Sequence, residues 1–279
     1  SLNEDRVSVE ISGPNGTEII HCKLLCGADG AHSWVRRKLR MGKPTETMIG
    51  FQIEVTGYEG DPGMLDMYTG EKIAPGFFSW AIPSGETTRI GTWTKAELMN
   101  GISSEEYLDG LISNPELNSR FGNINEVGRF CGPVPSGIVR KPMLERVALF
   151  GDAAGICKPT TGGGIGPGFK QVDVLVPMIS TALDSNDLSE FTMKKISNSL
   201  KEFRRDQRKK RALRDAFLTE MNDCELEKIF SVWRRPEVTA LINEVGDIEN
   251  PIPLGIRMLR EVPEFRRLAG RAAKAVLWG

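Results

Sequence analysis

Histidine is almost missing from this sequence: His21 and His32 are the only two in 279 residues. A Ser-His-Asp or Cys-His hydrolytic centre is therefore poorly supported, and zinc sets built on histidine lack ligands. Cysteine is sparse too. Cys22, Cys26, Cys131, Cys157 and Cys224 form no CxxC pair. The odd, scattered set supplies no iron–sulfur ligation pattern and predicts reduced, mostly buried thiols in a cytoplasmic protein. No apolar run approaches the roughly 18 residues that span a bilayer. No basic segment followed by an apolar one marks a signal peptide. Net charge is nearly absent at −1, so the whole-molecule field selects no partner.

What is present is a globular composition, 40% hydrophobic and 26% charged, sufficient for a sizeable core. RVSVEI (6–11) alternates, PNG turns, and TEIIHCKLLCG (17–27) runs extended, which predicts a hairpin feeding a buried strand. A short helix is expected over 31–39. Stretches 47–57, 63–69, 77–83 and 87–94 are strand-like with Gly and Pro between them, which predicts an antiparallel sheet and no βαβ repeat. SSEEYLDGLIS (103–113) opens with a serine cap and acidic first turn, a helix start. Strands return at 125–131 and 146–151. Residues 165–183 predict a helix, 187–221 one long helix, and the remainder short helices broken at prolines. The fold class expected is α+β. The expected divisions are 1–45, an antiparallel sheet over 46–135, a strand–loop–helix segment over 136–185, and a helical region over 186–279.

RVALFGDAAGICKPTTGGGIGPGFKQ (146–171) is the most unusual stretch. An apolar strand ends at Gly151-Asp152, where open α/β sheets place ligands. Asp152 there is an acceptor suited to a sugar or polyol hydroxyl. Pro159 stiffens the next turn. Gly162, Gly163 and Gly164 let backbone approach a flat or anionic group with no Cβ in the way. The helix that follows offers unpaired N–H groups and a positive dipole end. The pattern is no P-loop, and Pro167 breaks GxGxxG at its last position. A glycine-rich loop capping a helix is the bland alternative.

GDAAGICKPTTGGGI resembles the second flavin-contacting motif of FAD enzymes with the p-hydroxybenzoate-hydroxylase-like fold, in the form found in the geranylgeranyl reductase family. CGADGAHSWVRR (26–37) resembles the GADGxxSxVR motif of the same family. The resemblance implies FAD held by Asp29, Gly30 and Arg36 in the first motif and by Gly151, Asp152, Pro159, Gly162, Gly163, Gly164 and Ile165 in the second. Asp152 would bind the ribityl chain, and the helix start would face the carbonyl edge of the ring. GFFSWAIPSG (76–85) resembles the family's substrate-pocket motif through Phe78, Trp80 and Pro83, with Ile82 where an aromatic is usual. Phe78, Trp80 and Ile82 alternate onto one strand face, an apolar wall suited to a prenyl chain; the face of a sheet core is the commoner outcome of such a stripe.

The activity implied is flavin-dependent saturation of isoprenoid double bonds in membrane-lipid precursors. The electron donor stays open between NAD(P)H and ferredoxin, and no catalytic acid is identified. Cys157 is a candidate proton donor set against an inert buried thiol. A flavin monooxygenase or halogenase on the same fold is one alternative, and a non-catalytic lipid-binding fragment is another. No GxGxxG unit precedes GADG, which lies at 27–30 here and far deeper in the family's chains. The expectation is a fragment without the unit for the adenosine half of FAD, binding FAD weakly or not at all. KKISNSLKEFRRDQRKKRALR (194–214) has ten basic and two acidic residues, and 256–279 is again basic. Both predict a solvated helix face, or adhesion to an anionic membrane that would place the protein peripherally there. Aromatics are not interleaved with the charges, so no nucleic-acid partner is expected.

Overall fold

The alternating first segment forms a hairpin. In a computed structural model describing residues 5–14, 16–247, 249–266 and 270, β1 (Val7–Gly13) pairs antiparallel with β2 (Gly16–Cys22), Val7 opposite Cys22. β2 is exposed almost throughout and separate from β3 (Leu25–Gly27), so the expected continuous buried strand is instead two. α1 (Trp34–Lys38) begins where the Ser33 hydroxyl accepts the Arg36 amide at 2.9 Å. The alternating central stretches become β4 (Glu46–Thr56), β5 (Asp66–Gly70), β6 (Ala74–Ser84) and β7 (Thr87–Lys95). α2 (Ser104–Ile112) opens with a reciprocal cap: the Ser103 hydroxyl accepts the Glu106 amide and the Glu106 carboxylate accepts the Ser103 amide. Then follow α3 (Asn118–Phe121), β8 (Asn125–Ser136), β9 (Met143–Leu144), β10 (Val147–Leu149) and the long α4 (Ile165–Asp184).

The single helix expected over 187–221 is broken. α5 (Glu190–Asn198) ends because the Ser199 and Leu200 amides tighten to i−3 carbonyls, and the Ser199 hydroxyl donates to the Ile196 carbonyl at 2.6 Å. α6 (Lys201–Arg214) follows and closes in a single π turn over Asp215–Thr219. α7 (Asp223–Trp233), α8 (Pro236–Val245), α9 (Ile252–Glu261) and α10 (Pro263–Arg266) complete the described chain. The end of the basic 256–279 segment, residues 267–269 and 271–279, lies outside the described residues.

The chain folds as two units. The first comprises 1–47 and 134–207. Its sheet has the order β3-β10-β9, with β3 and β10 parallel and β9 antiparallel to β10. α4 packs Leu175 and Ile179 against Ala148, Ile156, Met193 and Leu200. Val35 and Met41 join Val147, Leu149 and Val139 in a second cluster. Gly27 is required there, since a Cβ would lie 2.7 Å from Leu149 and 3.1 Å from Val35.

The second unit comprises 48–133 and 208–279. Its sheet has the order β5-β6-β7-β4-β8, with β5, β6, β7 and β4 pairing antiparallel in turn. Phe51, Ile53, Val55, Ala81 and Ile90 point to one face, where Leu108 and Leu111 of α2 and Phe121 of α3 cover them. Helices α7 to α10 build a separate core around Leu226, Ile229, Val238, Leu241, Met258 and Phe265. Among the described residues no helix is long and apolar enough to cross a membrane.

Candidate flavin cradle and apolar sheet face

The two glycine motifs, more than 100 residues apart in sequence, leave the ends of adjacent parallel strands. Leu25, Cys26 and Gly27 pair with Val147, Ala148 and Leu149, and the Phe150 amide donates to the Gly27 carbonyl at 2.9 Å. Both acidic residues, Asp29 and Asp152, therefore emerge at the same carboxyl edge. Arg36 ties the motifs together. Its buried guanidinium donates to the carbonyls of Ala153 at 2.8 Å, Asp152 at 3.4 Å and Ala31 at 2.6 Å. It ties the two loops together through their backbone carbonyls.

Asp29 accepts the Val35 amide at 3.0 Å at the start of α1, and Gly30 takes a left-handed φ of 76° to turn the chain there. Burial alone would raise the Asp29 carboxyl. Hydrogen bonds from Ser33 and from the Val35 and Trp34 amides outweigh it and hold the group below the usual carboxylate range.

The Asp152 loop is held on three sides. Gln171 of α4, fully buried, accepts the Gly151 amide and donates to the Leu149 carbonyl, each at 2.9 Å. The Cys157 thiol donates to Asp152 Oδ1 at 3.0 Å. Burial pushes that thiol far up, and the Asp152 carboxylate reinforces the effect, so it stays protonated as a donor. With Oδ1 engaged, Oδ2 is the oxygen left for a ligand hydroxyl. Gln207 of α6 accepts the Ile138 amide at 3.2 Å and donates to the Cys157 carbonyl at 3.2 Å. Pro159 is buried.

The glycines of 162–164 are explained by lack of space and by backbone. Gly162 has φ 73°, and its amide donates to the Lys158 carbonyl at 2.9 Å; the Lys158 amide donates to the Gly163 carbonyl at 3.0 Å. A Cβ on Gly164 would meet Asp152 Oδ1 at 3.0 Å and Cys157 Sγ at 3.4 Å. Gly164 is the N-cap of α4 and supplies no side-chain cap, and no acidic residue occupies the first turn. The start of a 20-residue helix is thus left with unpaired donors and its positive dipole end beside a carboxylate and a bare loop. Ile165 stands exposed on it. An acceptor for hydroxyls next to a donor edge for an anionic, flat group is what a ribityl chain and a flavin ring require, so the residues fit that cofactor.

In the second unit, β6 presents Phe78, Trp80 and Ile82 on the sheet face opposite α2. Ile82 is exposed, and Phe78 and Trp80 are half-buried. Pro83 falls on the other face, with Ala81, and so does not share their wall. Phe78 lies edge-on to Trp80 at 6.3 Å and to Trp93 of β7 at 5.4 Å between ring centroids. Met67 of β5, opposite Trp80, and Phe130 of β8 are exposed as well. Trp80 is locked in place. It pairs with Gly91, where a Cβ would lie 2.4 Å from its ring, and its Nε1 donates to Gln52 at 3.3 Å. Gly91 has no positive φ, so the glycine there makes room for the indole and is not needed for a turn.

Several expectations are corrected. The thiols are not mostly buried: Cys26, Cys131 and Cys224 are exposed, Cys22 is intermediate and Cys157 alone is buried. The basic run in α6 is only partly solvated. In the first unit Arg204 donates to the Ile138 and Val139 carbonyls at 2.9 and 2.7 Å. In the second, Lys210 donates to the Glu249 carbonyl at 2.7 Å, and Arg214 binds Asp215 at 2.6 Å and stacks 4.8 Å above Phe77. Gln171 and Gln207 carried no prediction. Gln171 could have been found as a polar residue among the apolar positions of the helix that follows the glycine loop, whereas Gln207 lies in a run of charged residues and gives no such signal. Among the described residues no group of His, Cys, Asp or Glu could hold a metal.

No protein-family model matches the chain. It is 29% identical over 216 residues to a digeranylgeranylglycerophospholipid reductase of Methanocaldococcus jannaschii, covering 76% of this chain and 54% of that protein. It is 28% identical over 233 residues to the protein of the same name from Methanococcus aeolicus, covering 82% and 56%. The chain thus spans a little over half the length of these relatives. A geranylgeranyl bacteriochlorophyll reductase-like protein of Thermoplasma acidophilum superposes with a TM-score of 0.80 at 22% identity, over 97% of this chain and 68% of that one. The flavin-dependent halogenase CmlS superposes with a TM-score of 0.64 at 16% identity, over 93% and 54%. The fold is that of these flavoproteins.

Proposed function

We propose that this chain, which belongs with the geranylgeranyl reductase family, acts in the flavin-dependent saturation of isoprenoid double bonds of a lipid precursor. The observation that carries this reading is the Asp152 loop: a carboxylate oriented by Cys157, a backbone with no room for side chains, and an uncapped helix start, all at the end of a parallel strand pair. When bound, a reduced flavin supplies hydride equivalents to an alkene. The chain's own share is to hold the ribityl hydroxyls at Asp152, to stabilise negative charge on the ring with the Ile165 and Gly166 amides that open α4, and to offer apolar surface through Phe78, Trp80 and Ile82. Asp29, Gly30, Arg36, Gly151, Pro159 and Ile165 shape or border the cradle. A membrane-surface role rests on the exposed Lys194, Lys195, Lys201, Arg205 and Arg208.

The test is turnover with dithionite-reduced FAD and a geranylgeranyl lipid, without oxygen, read by mass spectrometry. The expected product gains two hydrogens per saturated bond. A product that forms only with oxygen and carries oxygen or halogen would replace this reading with the monooxygenase or halogenase one.

A further inference from the structure

The exposed face of the five-stranded sheet is graded in polarity along its strands. Three cross-strand rows make this visible. In the first, Ile82, Arg89 and Glu54 lie side by side; in the second, Trp80, Gly91 and Gln52; in the third, Trp93 lies opposite Gly50, with the Phe78 ring against it. The rows run from a charged end to an aromatic end. Arg89 and Trp93 are four residues apart, so the two ends are separated by about 13 Å.

At the charged end the two facing charges do not pair. Glu54 is directly opposite Arg89, yet its carboxylate accepts the Thr87 hydroxyl at 2.5 Å. Among the described residues the Arg89 guanidinium makes no hydrogen bond or ion pair, and the side chain is exposed. A fork of donors next to the exposed Ile82 and half-buried Trp80 is suited to a phosphate attached to a hydrocarbon chain.

We propose that Arg89 sets the direction in which substrate lies on this face, by binding the phosphate headgroup of a prenyl lipid while the chain runs over Ile82 and Trp80 toward the half-buried Phe78, behind which Trp93 is buried. The inference rests on the reading of this face as the substrate wall. It makes Arg89 a specificity-determining residue.

Equilibrium binding of geranylgeranyl phosphate and of neutral geranylgeraniol, followed by tryptophan fluorescence, tests it. The wild-type chain is expected to bind the phosphate about 10-fold more tightly than the alcohol, the increment of one charge-assisted contact in a wet setting. Raising salt should shrink that preference. Arg89→Gln, an exposed change that leaves the sheet intact, should abolish the preference by weakening the phosphate alone; Arg89→Lys should restore part of it. Trp80→Ala should weaken both ligands equally. Inorganic phosphate alone should bind too weakly to compete. Equal loss of both ligands in Arg89→Gln, or loss of neither, overturns the headgroup assignment and leaves the substrate wall standing. Binding of neither ligand to the wild-type chain overturns the wall, and the assignment with it.

Discussion

Replacing Gln171 by leucine should cost more stability than any surface change, because one side chain serves two peptide groups. Gln171 is fully buried, accepts the Gly151 amide and donates to the Leu149 carbonyl. Leucine fills similar volume but strands both groups. An unpaired buried donor or acceptor costs ~1–3 kcal/mol. Two of them, less what the added apolar side chain returns, give a loss of roughly 3 kcal/mol. For a unit of this size that lowers the melting temperature by about 10 °C. Thermal unfolding by circular dichroism reads the shift, and hydrogen exchange at the Gly151 amide localises it. Gln171→Glu sharpens the test. Its ionised form cannot donate to the Leu149 carbonyl, while its protonated form can, so the folded pKa is raised above the unfolded value of about 4.3. The stabilisation is then fully present below pH ~4 and lost as pH rises through the folded pKa. A leucine variant that melts within 2 °C of wild type, or a glutamate variant equally stable at pH 4 and 7, would refute the reasoning.

Asp29→Asn should remove a pH dependence with the opposite sign. The folded carboxyl lies below its ordinary range, so its contribution is present above the unfolded value and lost as pH falls through the folded one; acid unfolding curves of wild type and variant should converge at low pH. Gly91→Ala should displace the Trp80 indole and cost ~2 kcal/mol or more, since the added methyl meets the ring at 2.4 Å and the Phe51 carbonyl at 2.9 Å; the Trp fluorescence maximum should move with it. Trp93→Phe should be close to neutral in chemical denaturation, because it deletes a buried indole N–H that has no acceptor among the described residues, offsetting the lost area. With a thiol reagent at pH 8, the exposed Cys131 and Cys224 should react at once and Cys157 only after unfolding.

The antiparallel sheet was legible because its strands alternate: β4, β6 and β7 carry buried and outward residues at period two, and glycines or turns separate them. The capping box of α2 was legible from Ser103 and Glu106 alone. The break between α5 and α6 was not, because Ser199 and Leu200 are ordinary helix residues and only the local i−3 bonding ends the turn. In the glycine motif the residue types announced a bare backbone, but not its supports. Gln171, Gln207 and the Cys157–Asp152 bond depend on contacts across 5 to 69 positions, which periodicity does not encode. Arg36 illustrates the same limit: its motif suggested a cofactor contact, and its three hydrogen bonds go to backbone carbonyls. Strand parity, a rule as simple as alternation, separates Pro83 from Phe78, Trp80 and Ile82.

The central claim is that the Asp152 loop and the start of α4 hold a flavin by its ring and ribityl chain. Titration of riboflavin, which has those two parts and no adenosine, into the wild-type chain and into Asp152→Ala tests it most directly. Quenching of flavin fluorescence that saturates with wild type and weakens about tenfold or more in the variant, the loss of a charged acceptor for hydroxyls, is the result predicted. Absence of saturable quenching with wild type, or equal affinity in Asp152→Ala, would contradict it.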